Sequence, residues 1–162
     1  MRPRVILLFL LAVLPVWAGG LVGRPAVPFE GVTLEGRRFV LSDYLGEKPL
    51  ALHFWSSNCP PCRMEASYWA QAQKAYGAEL QIIAIDVQDI PTMARDFVNE
   101  FAWTFPVVQD GRGDVAAAYR VTMKPTTVFV AKNGTIVGYH LGPYRRAAAF
   151  EQDLIRLIRW RP

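Results

Sequence analysis

His53-Phe54-Trp55-Ser56-Ser57-Asn58-Cys59-Pro60-Pro61-Cys62-Arg63-Met64-Glu65 is the stretch on which the reading of this chain turns. The apolar run Leu50 to Trp55 predicts a short buried strand. Ser56, Ser57 and Asn58 turn the chain, and an amphipathic helix starts at or just after Cys59. The sequence has two cysteines, both at that junction and three positions apart. Three positions on a helix make about one turn, so both sulfurs face the same way and can close a small disulfide ring.

The position also assigns the roles. A sulfur at the first turn of a helix sees unpaired backbone N–H groups and the positive end of the helix dipole. Both favour the thiolate, which is the attacking species. Cys59 is therefore the expected nucleophile, and Cys62, one turn deeper, the resolving thiol that ejects a mixed disulfide. Pro60 and Pro61 fit where helix N–H groups lack partners anyway, and they stiffen the ring. They also remove two donors that a thiolate would otherwise use. Zinc is a poor alternative, because it needs about four ligands and only His53 and His140 could join the cysteines, without ligand-like spacing. Covalent haem attachment wants a His directly after the second Cys, where Arg63 stands.

The 162 residues suit one domain behind a targeting segment. Hydrophobic residues make up 52% and charged ones 20%, ordinary for a globular chain with an apolar leader. The formal charge is +4, or +2 without Arg2 and Arg4, too little to suggest nucleic acid. Met1 to Arg4 is a short positive segment, and the uncharged run Val5 to Gly23 follows. Residues 1–18 read as a signal peptide cleaved after Ala18 or as an N-terminal membrane anchor, possibly extending to 22. Either outcome places the domain outside the cytoplasm, where a lone cysteine pair can persist as a disulfide. Residues 19–27, rich in Gly and Pro, read as a linker, and 28–162 as the folded domain.

Within the domain, Phe29 to Val40 predicts a hairpin around Leu34-Glu35-Gly36-Arg37. Ser42 to Gly46 predicts a short helical turn with a Ser cap. The redox helix runs to about Tyr76 and stops at Gly77. Leu80 to Val87 is nearly all apolar, as a parallel strand covered on both faces should be. Pro91 to Phe101 has helical spacing, Phe105 to Val108 is extended, and Asp114 to Tyr119 is a short helix capped by Asp114. Thr126 to Val130 and Thr135 to His140 are strands joined through Asn133-Gly134. Ala147 to Trp160 is a closing helix with a solvated basic face. Asp86 and Asp89 read as loop residues.

The order β-α-β-α, small helix, β-β-α, with a redox turn after the first core strand, resembles the thioredoxin fold. An added front hairpin, together with Phe29, Gly36…Val40-Leu41-Ser42-Asp43-Tyr44-Leu45-Gly46, Phe105 to Asp110 and Pro125 to Val130, makes residues 28–160 resemble the TlpA/ResA-like family. The resemblance implies an α/β thioredoxin-like fold, a mixed central sheet flanked by helices with an N-terminal β-hairpin. It also implies that Pro125 is a cis-proline facing the cysteine pair, with the Lys124 backbone turned out to pair with an extended substrate. Lys124 replaces the family's usual apolar residue, and either puts a charge near Cys59 or is a solvated lysine at the rim. Glu65 matches the family's C-x-x-C-x-x-E glutamate, which tunes the cysteines and relays protons; Cys62 and Glu65 share a helix face. His53 stands where thioredoxins often place a buried acid beneath the disulfide, and is either an acceptor for the Cys62 proton or a core residue. Trp55 is expected to pack near the disulfide, and Asn58 replaces the aromatic residue common before the first cysteine, which makes that side of the entrance more polar.

The expected function is that of an exported thiol–disulfide oxidoreductase with no cofactor or metal beyond the Cys59–Cys62 disulfide. By the resemblance, its partners are disulfide-containing proteins such as apocytochrome c or copper-site assembly proteins, with a membrane electron donor for re-reduction. Two alternatives stay open. One is a non-enzymatic chaperone or copper-binding module, for which Met64, Met123 and His140 would have to gather with the cysteines. The other is a thiol peroxidase, suggested by Ser56-x-x-Cys59 but with Leu52 where that motif has proline.

Overall fold

The computed structural model describes residues 20–162; the signal or anchor read at residues 1–18 lies outside the described residues. Five strands form a central sheet in the order β5-β4-β3-β6-β7. They are β3 (Leu50–Trp55), β4 (Gln81–Val87), β5 (Val107–Asp110), β6 (Thr126–Val130) and β7 (Ile136–Leu141). A separate hairpin, β1 (Glu30–Val32) and β2 (Arg38–Val40), precedes them and leans on the β5 edge, where Leu34 N donates to Val107 O at 2.9 Å. The helices are α1 (Pro60–Tyr76), α2 (Pro91–Glu100), α3 (Asp114–Ala118) and α4 (Ala147–Ile158). The fold is thus a mixed sheet flanked by helices, with the N-terminal hairpin anticipated from the sequence.

Period-two alternation divides the core between the two faces of the sheet. Every residue of β3 is buried. Ala51 and Trp55 face a cluster with Cys62, Ala66 and Trp69 of α1, Phe97 of α2 and Phe150, Leu154 and Leu157 of α4. Leu50, Leu52 and Phe54 face the other cluster, with Phe39 of the hairpin and Ala116 of α3. β3 pairs in parallel with β4 and antiparallel with β6, and β4 in parallel with β5. This central placement explains why β3 and β4 are apolar nearly throughout.

Some local details differ from expectation. The helical turn after β2 is a 3-10 segment over Leu41–Tyr44, whose start carries no side-chain cap, so Ser42 is not the cap. Leu41, fully buried, fixes it instead. Gly113 at φ 78° rather than Asp114 precedes α3, and the free N–H groups of Val115 and Ala116 donate to the Asp110 carboxylate at 3.2 and 2.8 Å. Residues 21–27, inside the stretch read as a linker, lie along the start of β7. Gly23 N donates to Ile136 O and Ala26 N to Gly134 O, and Ala26 is buried. An edge strand offers unpaired backbone groups, and this segment takes them up. No helix among the described residues is long and apolar enough to cross a membrane.

Candidate active site

Cys59 is the N-cap of α1, with extended φ and ψ of −98° and 103°. It is bonded to Cys62 in a disulfide with Cα atoms 5.3 Å apart. Because Pro60 and Pro61 carry no N–H, the first donor that α1 offers is that of Cys62. This N–H lies 3.3 Å from Cys59 Sγ and 3.0 Å from Cys59 O. One backbone donor is therefore aimed at the sulfur where a thiolate forms on reduction. The two sulfurs are unequally shielded, Cys59 being 9% exposed and Cys62 1%. Met64 and Arg63 lie on the outer side of the same turn, with Arg63 over the Phe97 and Phe101 rings.

Beneath the pair, the second turn of α1 brings Glu65 into the core at 1% exposure. It accepts from Trp69 Nε1 at 3.1 Å, one turn on, and from Tyr144 N at 2.6 Å in the loop between β7 and α4. Burial pushes its carboxyl up to about 7, against the pull of these two donors. Such a group holds and releases a proton near neutrality.

His53 sits in β3, fully buried, stacked on Trp69 at 4.4 Å between ring centres. Neither ring nitrogen has a hydrogen-bond partner, and Nδ1 is 3.8 Å from Glu65 Oε1, beyond hydrogen-bonding distance. Desolvation pushes the imidazole down to about 3. It stays neutral where the cysteines exchange, so of its two readings the core residue is the one the geometry fits. Trp55 packs against Phe97 and Trp103 at 4.6 and 4.8 Å in the cluster that also contains both cysteines.

The Lys124–Pro125 peptide bond is cis. Thr126 pairs with Phe54, so Pro125 falls where β3 ends and the redox loop departs. Pro125 O accepts from Gly142 N at 2.9 Å. The Lys124 ammonium turns toward the end of β4, donating to Val87 O at 3.2 Å. Asn58 is exposed, and its Oδ1 accepts from Ser56 Oγ at 2.8 Å.

Three features were missed from the sequence. The Tyr144 backbone N–H is invisible in a residue string. Asp86 is not a loop residue: it lies in β4 at 2% exposure. Asp89 does lie in the loop after β4, but it accepts from Ser57 N and, at 2.9 Å, from Ser57 Oγ, gripping the turn before Cys59. A single acid inside the run Ile82 to Val87 was the available signal. Met64 and Met123 are exposed, His140 stacks on Tyr144 at 3.5 Å, and among the described residues no three His, Cys, Asp or Glu side chains gather to hold an ion.

A thioredoxin-fold protein with a helix-capping, redox-active cysteine pair is the class that this fold and site define. The AhpC/TSA family model matches residues 22–139. The thiol-disulfide oxidoreductase ResA of Geobacillus thermodenitrificans is 36% identical over 116 residues, 71% of this chain and 66% of that protein. The thioredoxin-like protein YneN of Bacillus subtilis is 33% identical over 74% of this chain and 71% of its own length. Among solved structures, a secreted Mycobacterium tuberculosis disulfide oxidoreductase homologous to E. coli DsbE superposes with a TM-score of 0.74 at 27% identity, covering 80% of this chain and 96% of that one. The chain belongs to the AhpC/TSA family and, within it, to the TlpA/ResA-like thiol-disulfide oxidoreductases of thioredoxin fold. The matched segment spans about two thirds of the length of its ResA relatives.

Proposed function

We propose that the protein works outside the cytoplasm as a reductant of cysteine pairs in partner proteins. The observation that carries the exchange chemistry, with Cys59 as nucleophile and Cys62 as resolving thiol, is the asymmetry of the two sulfurs. Cys59 is the more accessible of the two, 9% exposed against 1% for Cys62, and has a backbone N–H aimed at it. In the reduced protein the Cys59 thiolate attacks one sulfur of a partner disulfide. A Cys59–partner bond forms, the partner S–S bond breaks, and its second sulfur leaves as a thiolate that takes up a proton. Cys62 then gives its proton to the Glu65 carboxylate and attacks Cys59 Sγ. This closes the Cys59–Cys62 disulfide and expels the first partner sulfur. Two electrons have moved to the partner, and a membrane protein carrying a dithiol returns them.

Export rests on the positive Met1–Arg4 segment and the uncharged run after it, together with a relative described as secreted. The substrates proposed, apocytochrome c before haem attachment or the cysteine pairs of copper-site assembly proteins, follow from the family resemblance. The cis Lys124–Pro125 corner is the proposed edge for an extended substrate segment. The test is a Cys62→Ser variant expressed in the native cell. It should accumulate as a mixed disulfide through Cys59 with a protein that bears a cysteine pair. A Cys59→Ser variant that supports full biological function would overturn the proposal and favour a binding role.

A further inference from the structure

The charge of the described domain is not spread evenly. Arg145 to Pro162 hold five arginines and two acids, a net +3, whereas residues 20–144 hold eleven basic and twelve acidic side chains. The excess sits on α4 and the residues at its two ends. Phe150, Leu154 and Leu157 turn the apolar side of that helix into the core. Its outer side is exposed, and Arg146, Glu151, Gln152, Arg156 and Arg159 border one open groove there. Both acids of the segment are already engaged, Glu151 by the Tyr76 hydroxyl and Asp153 by the Tyr144 hydroxyl and Arg156. Arg145, Arg146 and Arg159 form no ion pair among the described residues.

The place of the helix says what meets it. α4 covers β7, whose Val137 and Tyr139 share a cleft with Leu157 and Trp160. Gly23 and Arg24 pair with Ile136 at the outer edge of the same strand, so the leader, with its positive start and uncharged run, is joined to the fold beside α4. The helix runs from the redox end of the sheet, where Gly142 N meets Pro125 O, to the opposite end, where Arg161 and Lys132 share a cleft. Arg146 and Arg159 are therefore about 20 Å apart along its axis, with the exposed, uncharged Ala148 and Gln152 between them. A long convex face of this kind suits a flat surface that repeats its charges. We propose that the outer face of α4 rests on anionic phospholipid headgroups: Arg145, Arg146, Arg156 and Arg159 meet the phosphates at the outer face of the cytoplasmic membrane and hold the domain on its side. The Cys59 end then lies level with the bilayer surface, where a membrane dithiol reaches the pair without the domain leaving the membrane. The inference rests on the export reading and deepens it. Each arginine that reaches such a surface strengthens attachment about fivefold, and salt weakens it.

The test places the full chain with nanodiscs of phosphatidylcholine alone, or of phosphatidylcholine and phosphatidylglycerol in equal parts. Arginines are modified with phenylglyoxal, and the rate at each is read by mass spectrometry. At about 0.1 M salt, Arg146, Arg156 and Arg159 should react about fivefold more slowly in the anionic discs than in the neutral ones. Arg37 and Arg112, exposed on the β5 side of the sheet, should keep their rates, and about 1 M salt should abolish the difference. A variant with Arg146→Gln and Arg159→Gln, which breaks no ion pair, should lose the protection of Arg156 and still reduce a small aromatic disulfide at the wild-type rate. Equal arginine rates in the two discs overturn the inference, as does slowing that extends to Arg37 and Arg112. Protection by polyglutamate but not by phosphatidylglycerol also overturns it and assigns the face to an acidic protein. Export is read separately, from the access of protease to the domain in spheroplasts of the native cell. A protected domain there sinks export and this inference together, whereas an accessible domain with unprotected arginines sinks the inference alone.

Discussion

Replacing Glu65 by Gln tests the proposed proton-carrying role of this residue apart from its packing. In the folded protein the carboxyl is raised from 4.5 to about 7. A raised acid stabilises the fold fully below its unfolded value and loses that contribution as the pH rises through the folded one. The loss therefore falls between about pH 4.5 and pH 7. At ~1.4 kcal/mol per pH unit it amounts to about 3 kcal/mol. Gln is neutral throughout and does not pay it. Its single oxygen serves either Trp69 Nε1 or Tyr144 N but not both, leaving one buried donor unmatched at a cost of about 1–3 kcal/mol at every pH. Urea unfolding of the oxidised proteins at pH 4 and pH 8 should accordingly show Glu65→Gln less stable than wild type at pH 4. The gap should close or reverse at pH 8, a change of about 3 kcal/mol in the difference. Insulin reduction at pH 7 should fall by about 10²-fold, the lower end of what a placed proton acceptor contributes. A mutant-minus-wild-type difference that stays constant between the two pH values would refute the reasoning, because Glu65 would then ionise as an ordinary surface acid.

Other perturbations test other parts of the construction. Trp103→Phe keeps the aromatic packing but removes the 2.8 Å bond from Nε1 to Ala66 O in α1, and should cost about 1–2 kcal/mol in urea unfolding. Asp110→Ala frees Val115 N and Ala116 N at the start of α3, and should cost about 1–2 kcal/mol, the range for a lost helix cap; the same unfolding measurement checks it. Gly31→Ala places a Cβ 2.7 Å from Val108 Cγ1. It should destabilise the contact between hairpin and sheet by about 1–3 kcal/mol, visible as a lowered thermal midpoint. The reduced protein should consume hydroperoxide no faster than a simple thiol, since Leu52 stands where the peroxidase motif has proline.

The sheet was legible because its central strands are covered on both faces. Continuous apolar runs such as Leu50 to Trp55 and Leu80 to Val87 admit few other readings, and Asn133-Gly134 announces the turn between β6 and β7. The capping residues were not legible. Ser42 and Asp114 each look like a cap, but the 3-10 turn is held by the burial of Leu41, and α3 by an aspartate at the end of β5. A local rule finds the right residue type, while the competition is settled by which side chain the sheet carries to the helix end. The paired cysteines needed no such information. Their spacing and the strand before them sufficed, because the chemistry lies within one helical turn.

The proton chemistry shows where a linear reading stops. His53 occupies the position expected of an acid, and its imidazole has the unperturbed pKa best suited to taking a proton near neutrality. Yet in its aromatic setting neither nitrogen meets an acceptor, so charging it would leave two buried N–H groups unsatisfied. Stability is then lost as the pH falls from about 6.5 toward 3, and over the working range the ring is inert. Glu65 has the less suitable unperturbed value, but burial raises it while the Trp69 and Tyr144 donors keep its ionised form accessible. Asp86 is raised too, by its burial and by the nearby Asp89 and Asp110. Three buried ionisable groups on one face of the sheet thus titrate in three different ranges. What separates them is the set of donors and charges each one meets, and residues far away in sequence supply most of that set.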